Sequence, residues 1–178
     1  MRRYIYFVFL LCCAVNLLLT SCVRQKYVVM DMVHHNPGEA MTESKFLDPS
    51  FLKKNEYGAK VFFLFEAAQF GIDWKSFDPS LFPDTTEAGR WVAEKAEIIH
   101  KKYDAAKKED LQVYCMLDML VLPSLLVEKH RTELTNEQGK LDISKPYTQL
   151  CIRELMKEMF ETFPQLDGLV IRTGETYL

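Results

Sequence analysis

LDGLVIRTGETYL, residues 166–178, combines a short apolar run with the polar segment that follows it. Leu169, Val170 and Ile171 are consecutive apolar residues, two of them β-branched, which is typical of a strand buried on both faces. Arg172 and Glu175 come directly after this run. Because ligands in parallel α/β proteins bind beyond the carboxyl ends of the strands, the stretch predicts a buried strand that leads into a binding or catalytic site.

Three other apolar runs have the same character. They are YVVM at 27–30, VFFLF at 61–65 and VYCML at 113–117. None of them alternates between apolar and polar residues, so each run also favours a strand that is covered on both faces. Together the four runs predict a parallel sheet.

Helical patterns separate the predicted strands. Apolar residues at 92, 96, 99, 103 and 106 form one helical stripe, which Thr85 or Thr86 can cap. A second stripe covers 152–163, with Pro146 placed for the first turn and Pro164 close to the end. A shorter helix is predicted at 46–54, and a loop with a short helix at 120–131. The predicted order is therefore β-α-β-α-β-α-β.

This order is compatible with two α/β architectures. The predicted strands are spaced by roughly 30 to 55 residues, wider than the about 31 residues per unit of a 250-residue barrel. This spacing favours a parallel β/α repeat over 27–178 that forms the first four strands of a TIM (β/α)₈ barrel with long loops. The alternative is a small doubly wound α/β sheet. A Gly-rich turn is missing after the first run, so a dinucleotide cofactor has no support.

The first 22 residues predict export. Arg2 and Arg3 precede an apolar stretch at 5–19 that is short for a membrane span and suits a signal peptide. Residues 19–22, LTSC, resemble the lipobox of bacterial lipoproteins, which implies a signal peptide at 1–21 and a lipid on Cys22. An uncleaved anchor helix is the alternative. Residues 22–26 would form a short tether without an acidic cluster, and we expect an outer-membrane lipoprotein that faces the periplasm.

Charge and cysteine content exclude other classes. The formal net charge is −3 and no long basic run occurs, so a nucleic-acid partner has no electrostatic support. His34 and His35 are adjacent and would point to opposite sides of an extended segment, so they cannot bind one metal ion together. Elsewhere in the sequence no pair of His or Cys residues has the spacing of metal ligands, so we expect no metal site. Cys115 and Cys151 lie inside apolar segments, where buried free thiols are expected.

Polar residues follow each predicted strand and mark one candidate pocket. The candidate substrate-binding residues are His34, His35, Glu39, Glu66, Asp118 and Arg172. Glu66 or Asp118 could form an ion pair with a basic neighbour such as Arg172, or could bind substrate hydroxyl groups. Trp74 and Trp91 could stack on sugar rings, but Trp91 lies beside the apolar stripe of a helix, which favours packing.

Residues 30–39 and 166–175 resemble the opening and fourth strands of bacterial (β/α)₈ glycoside hydrolases, in particular the α-glucuronidase type of family 67. In that family an acidic general acid follows the fourth strand. The resemblance therefore implies a catalytic role for Glu175, which follows Gly174. In that family the second catalytic carboxylate comes from later strands, since glycoside hydrolysis uses two.

The expected function is that of the N-terminal part of a lipid-anchored envelope glycoside hydrolase. It would act on oligosaccharides derived from plant or host polysaccharides, without a cofactor. We expect the 178-residue chain to be inactive alone and to need the C-terminal half of the barrel or a second chain. The alternative is a complete small α/β lipoprotein that binds a glycan or a partner protein without catalysis.

Overall fold

The structure, a computed structural model, describes residues 28–31 and 45–172, apart from the side chain of Leu64. Its strands are β1 (Met30–Asp31), β2 (Ala59–Phe62), β3 (Gln112–Asp118) and β4 (Gly168–Arg172). Its α-helices are α1 (Pro49–Lys54), α2 (Glu87–Lys108), α3 (Ser124–Lys129), α4 (Arg131–Leu134) and α5 (Pro146–Thr162). Short 3₁₀ helices cover Lys45–Leu47, Leu64–Glu66 and Ala68–Gly71.

The four strands form one all-parallel sheet in the order β1-β2-β3-β4. The predicted α/β class with a parallel sheet is therefore confirmed, and the arrangement is compatible with a parallel β/α repeat. A doubly wound sheet reverses its strand order at a switch point, and the four described strands show no such reversal. With right-handed crossovers, sequential order places the connecting helices on one face of the sheet.

The longer helices begin where local sequence chemistry allows. The Thr86 hydroxyl accepts a hydrogen bond from the Gly89 amide at 3.0 Å and so caps α2. Asp48 caps α1 in the same way by accepting from the Ser50 amide. Pro146 occupies the first turn of α5, where its missing N–H group costs no hydrogen bond. The caps and the proline therefore account for three of the observed helix starts.

The hydrophobic core lies between the helices and one face of the sheet. Alternate residues of β3 are buried on this face, and side chains from α1, α2 and α5 pack against them. This cluster includes Phe62, Val113, Cys115, Leu117, Leu52, Ile99, Tyr103, Leu155 and Met159. The sequence predicted the apolar stripes of α2 and α5 that supply the helical side of this core.

The opposite face of the sheet is less covered at β3 and β4, whereas Val61 of β2, on the same face, is buried. Tyr114, Met116 and Val170 alternate with the core residues and are only partly buried. The Tyr114 ring lies over Gly168, its partner in the β3–β4 register, and a Cβ atom at Gly168 would come within 2.8 Å of that ring. Glycine is therefore needed at this position of β4 to seat the ring.

Strand β2 differs from its predicted span of 61–65, because it starts at Ala59 and ends at Phe62. Lys60 is a charged residue inside the strand and interrupts the apolar run. The run therefore did not indicate that β2 begins at Ala59. The Lys60 ammonium donates to Asp31 at 2.9 Å and to the Phe46 carbonyl at 3.1 Å. Lys60 and Asp31 are aligned in the β1–β2 register and are both buried. A buried ion pair thus joins β1 to β2.

A buried carboxyl group on α5 predicts a pH-dependent stability. Glu158 is buried and accepts a hydrogen bond from the Ser76 hydroxyl at 2.5 Å. Burial raises the pKa of Glu158 above its ordinary value of 4.5. Above pH 4.5 the Glu158 carboxyl group therefore keeps its proton more readily in the folded state than in the unfolded state. The contribution of Glu158 to the free energy of unfolding falls as the pH rises from 4.5 through the higher pKa of the folded state.

Glu158→Gln should therefore raise the thermal unfolding temperature at about pH 7, and this gain should disappear at about pH 4. The glutamine keeps an oxygen that accepts from Ser76. Glu161→Gln is the matched control, because Glu161 is an exposed residue of the same helix, and it should change the unfolding temperature little at either pH. A lower unfolding temperature of Glu158→Gln at neutral pH would contradict the prediction.

Candidate functional site

An arginine–carboxylate pair lies at the carboxyl ends of β3 and β4. Asp118 and Arg172 are register partners at the last positions of these strands. Arg172 donates from Nε to Asp118 Oδ1 and from Nη2 to Oδ2, both at 2.6 Å. This bidentate geometry fixes both planar groups. Two of the predicted substrate-binding residues are therefore brought together, in the ion pair that the sequence left open as an alternative.

The pair belongs to the face of the sheet opposite the helices. Asp118 and Arg172 are in register with each other and alternate with core residues such as Leu117. The side chains of Asp118 and Arg172 remain 17% and 26% exposed, so ligand groups can reach them from solvent. The Arg172 guanidinium also lies 5.3 Å from the centre of the Phe63 ring, which adds a cation–π contact.

A cavity of about 240 Å³ lies beside the Asp118–Arg172 pair. Its walls combine the charged pair with an aromatic and aliphatic lining. They are formed by Phe63, Ala67, Gln69, Phe70, Met116, Leu117, Asp118, Val121 and Arg172. A mostly apolar cavity with a few convergent polar groups is the usual form of a small-ligand site. The fixed carboxylate and guanidinium could orient hydroxyl groups of a ligand.

Glu66 lies elsewhere. Its carboxylate forms an ion pair with Lys102 of α2, and its main-chain carbonyl accepts a hydrogen bond from the Tyr103 hydroxyl. The structure therefore places Glu66 against α2 and does not bring it to Asp118 and Arg172. The reason is local: the chain leaves β2 after Phe62 and turns through the 3₁₀ helix Leu64–Glu66. A continuous strand through residue 65 would have given Glu66 a different direction.

The remaining predicted site residues lie outside the described residues. These are His34, His35, Glu39, Glu175 and the lipidation candidate Cys22. Their predicted roles stay predictions.

Seven of the nine residues that line the cavity were not among the predicted site residues, and Phe63 and Gln69 are two of them. Phe63 was read only as part of an apolar run. The signal that could have found Phe63 is its position directly after β2, where a side chain reaches the carboxyl edge of the sheet. Of the two tryptophans, Trp74 is buried in the core, whereas Trp91 is 43% exposed.

The two described cysteines are unsuited to nucleophilic catalysis. Cys115 and Cys151 are both free and buried, which confirms the prediction of buried thiols. Burial raises the pKa of each thiol to about 11. Both are therefore protonated at neutral pH, and the reactive thiolate form is scarce.

The described residues contain neither a metal-binding cluster nor a membrane-spanning helix. Within 28–31 and 45–172, no group of three or more His, Cys, Asp or Glu side chains is arranged to hold a metal ion. Over the same part of the chain, no helix has the length and apolar character needed to cross a membrane.

Comparison of the chain with protein-family models, with curated proteins and with solved structures finds no match. The function must therefore be inferred from the residues and from the geometry that they adopt.

Proposed function

We propose that the protein is part of a lipid-anchored envelope glycoside hydrolase, in which the four-stranded sheet forms one half of a (β/α)₈ barrel. The observation that carries this proposal is the bidentate Asp118–Arg172 pair at the carboxyl ends of two neighbouring parallel strands. Catalytic and binding residues of such barrels lie at this end of the strands. Glu175 follows Arg172 by three positions.

The covering of the sheet supports the barrel. The helices and the core lie on one face, and strand order is sequential, as in the wall of a (β/α)₈ barrel. Tyr114, Met116 and Val170 on the other face are only partly buried. In the proposed barrel this face is the interior, and further β/α units, in the same polypeptide or in a second chain, pack against it.

In the proposed reaction Glu175 is the general acid that protonates the oxygen of the leaving group. Asp118 and Arg172 bind sugar hydroxyl groups, because a carboxylate and a guanidinium held against each other present fixed acceptors and donors. Phe63 supplies an apolar wall of the cavity. A second carboxylate, from a later strand, completes the pair of acids that hydrolysis of a glycosidic bond uses.

The proposal also includes export and lipidation at Cys22. Several acyl chains on one residue anchor a protein to a membrane far more firmly than one chain. The proposed location is the outer membrane, with the sheet on the periplasmic side. Two uncharged and two basic residues are present at 23–26 without an acidic cluster, which supports this side of the membrane.

The experiment that tests the proposal uses the native protein from cells. An antibody against the exposed segment 137–140 should detect a membrane-bound protein well above the 20.8 kDa of the 178-residue chain, or a stable complex with a second chain. Cys22→Ala should release it from the membrane fraction. The isolated native protein should hydrolyse oligosaccharides from plant or host polysaccharides, with the released sugars measured by chromatography. A native protein of about 20 kDa that binds glycans without hydrolysing them would contradict the enzyme proposal and favour the non-catalytic binding module.

A further inference from the structure

A second cavity lies beside the cavity of the Asp118–Arg172 pair. It has a volume of about 170 Å³ and lies among the segment after β2, the start of α2 and the loop before α3. Its walls are formed by Gln69, Phe70, Ile72, Trp74, Phe82, Trp91, Val92, Val121, Leu122, Pro123 and Leu155. Ten of these eleven residues are apolar or aromatic, so the cavity suits an apolar group.

The deep wall and the rim of this cavity differ. Ile72, Trp74 and Leu155 are each 1% exposed and belong to the core, so they form a fixed wall. Trp91 and Val121 are 43% and 40% exposed, so the cavity opens to solvent beside them. A small ligand can therefore enter without unfolding of the core.

Gln69 contributes the single polar side chain of the lining. Its Oε1 atom is buried and has no hydrogen-bond partner in the part of the chain that the structure describes. A buried polar atom without a partner costs free energy, and each such atom in a folded protein calls for an explanation. A ligand that hydrogen-bonds with this amide would remove the cost.

We propose that this cavity binds a single aromatic ring that carries a hydroxyl group, that is, a phenol. Cavities of roughly 150 Å³ with an apolar lining hold a benzene ring, and the aromatic walls formed by Phe70 and Trp91 suit such a ring. A phenolic hydroxyl both donates and accepts hydrogen bonds. The phenolic hydroxyl can therefore form a hydrogen bond with Gln69 whether the amide oxygen or the amide NH₂ group faces the ligand.

The proposal does not depend on the proposed hydrolase. The two cavities share Gln69, Phe70 and Val121, so a bound phenol lies next to the Asp118–Arg172 pair. If the protein is a glycoside hydrolase, the ring belongs to an aromatic substituent of the substrate.

The experiment measures binding of para-fluorophenol and para-fluorotoluene to the purified full chain by fluorine NMR. Both rings should bind, because both fit the apolar walls. Gln69→Leu should weaken binding of para-fluorophenol by about two to ten times, the range expected for the loss of one hydrogen bond between neutral groups. The same variant should leave binding of para-fluorotoluene unchanged or tighter, because the polar atom that opposed an apolar ring is gone.

Val121→Trp is the second variant. Val121 lies on the exposed rim, so the larger side chain can be accommodated without disturbing the core, and it should fill the cavity and remove binding of both rings. Because Val121 lines both cavities, this variant shows binding at one of the two even if Gln69→Leu does not fold. Trp91→Ala changes the lining of the second cavity alone and should weaken binding of both rings. The proposal is overturned if neither ring binds to the unaltered chain, if Val121→Trp still binds them, or if Gln69→Leu affects both rings equally.

Discussion

Lys60→Met should lower the free energy of unfolding by about 3–5 kcal/mol, the cost typical of removing one partner from a buried ion pair. Methionine keeps the apolar part of the side chain but lacks the ammonium group. The variant therefore leaves the Asp31 carboxylate buried without its 2.9 Å partner, and the Phe46 carbonyl without its 3.1 Å donor. Urea unfolding followed by circular dichroism measures the change.

Two further variants show whether burial is the cause. The double variant Asp31→Leu with Lys60→Met should recover most of the lost stability, because an apolar pair of similar volume is often as stable as a buried ion pair. Lys101→Met breaks the exposed ion pair between Lys101 and Glu97 on α2, in which Nζ and Oε1 are 2.6 Å apart. It should change the stability little, because exposed ion pairs contribute little to the free energy of unfolding. Equal losses for Lys60→Met and Lys101→Met would show that the Lys60 pair has no special role.

In the proposed glycoside hydrolase, Glu175→Gln should lower kcat for natural oligosaccharides by about 10²–10⁴-fold, the usual contribution of general acid catalysis. Glutamine preserves the size of the side chain but cannot donate the proton that the leaving group needs. Substrates with good leaving groups, such as nitrophenyl glycosides, should lose much less, because they depart without protonation. Steady-state kinetics on the two substrate classes gives both numbers.

The pH profile provides a second readout. In the unaltered enzyme the rate should fall at high pH as the general acid loses its proton, and Glu175→Gln should remove this limb. Glu161→Gln, on the exposed side of α5, is the matched control and should retain full activity and the full profile. Activity of Glu175→Gln close to that of the unaltered enzyme on natural substrate would exclude Glu175 as the acid.

Much of the fold follows from local patterns in the sequence. The apolar runs around β3 and β4 and the helical stripes of α2 and α5 predicted these elements, because each buries a continuous apolar surface. The start of β2 could not be predicted in this way. Lys60 is charged, and only its pairing with Asp31 across two strands makes its burial possible.

The site was predictable to a smaller extent. That polar residues after the strands would meet followed from the geometry of parallel sheets, and Asp118 and Arg172 do meet. Their bidentate pairing depends on the β3–β4 register, which a sequence does not specify. The direction of Glu66 depends on where β2 stops, and the 3₁₀ turn after Phe62 turned its side chain toward Lys102.

The sequential strand order has a consequence for how the protein is made. Met30 pairs with Ala59, Ala59 with Gln112 and Tyr114 with Gly168, so the four described strands pair with their neighbours along the chain. Each β/α unit can dock onto the preceding one as soon as it is available, and folding can therefore proceed from the N-terminal strand onward as the chain emerges during synthesis or export. A folding defect in β4 should accordingly leave the pairing of β1, β2 and β3 in place.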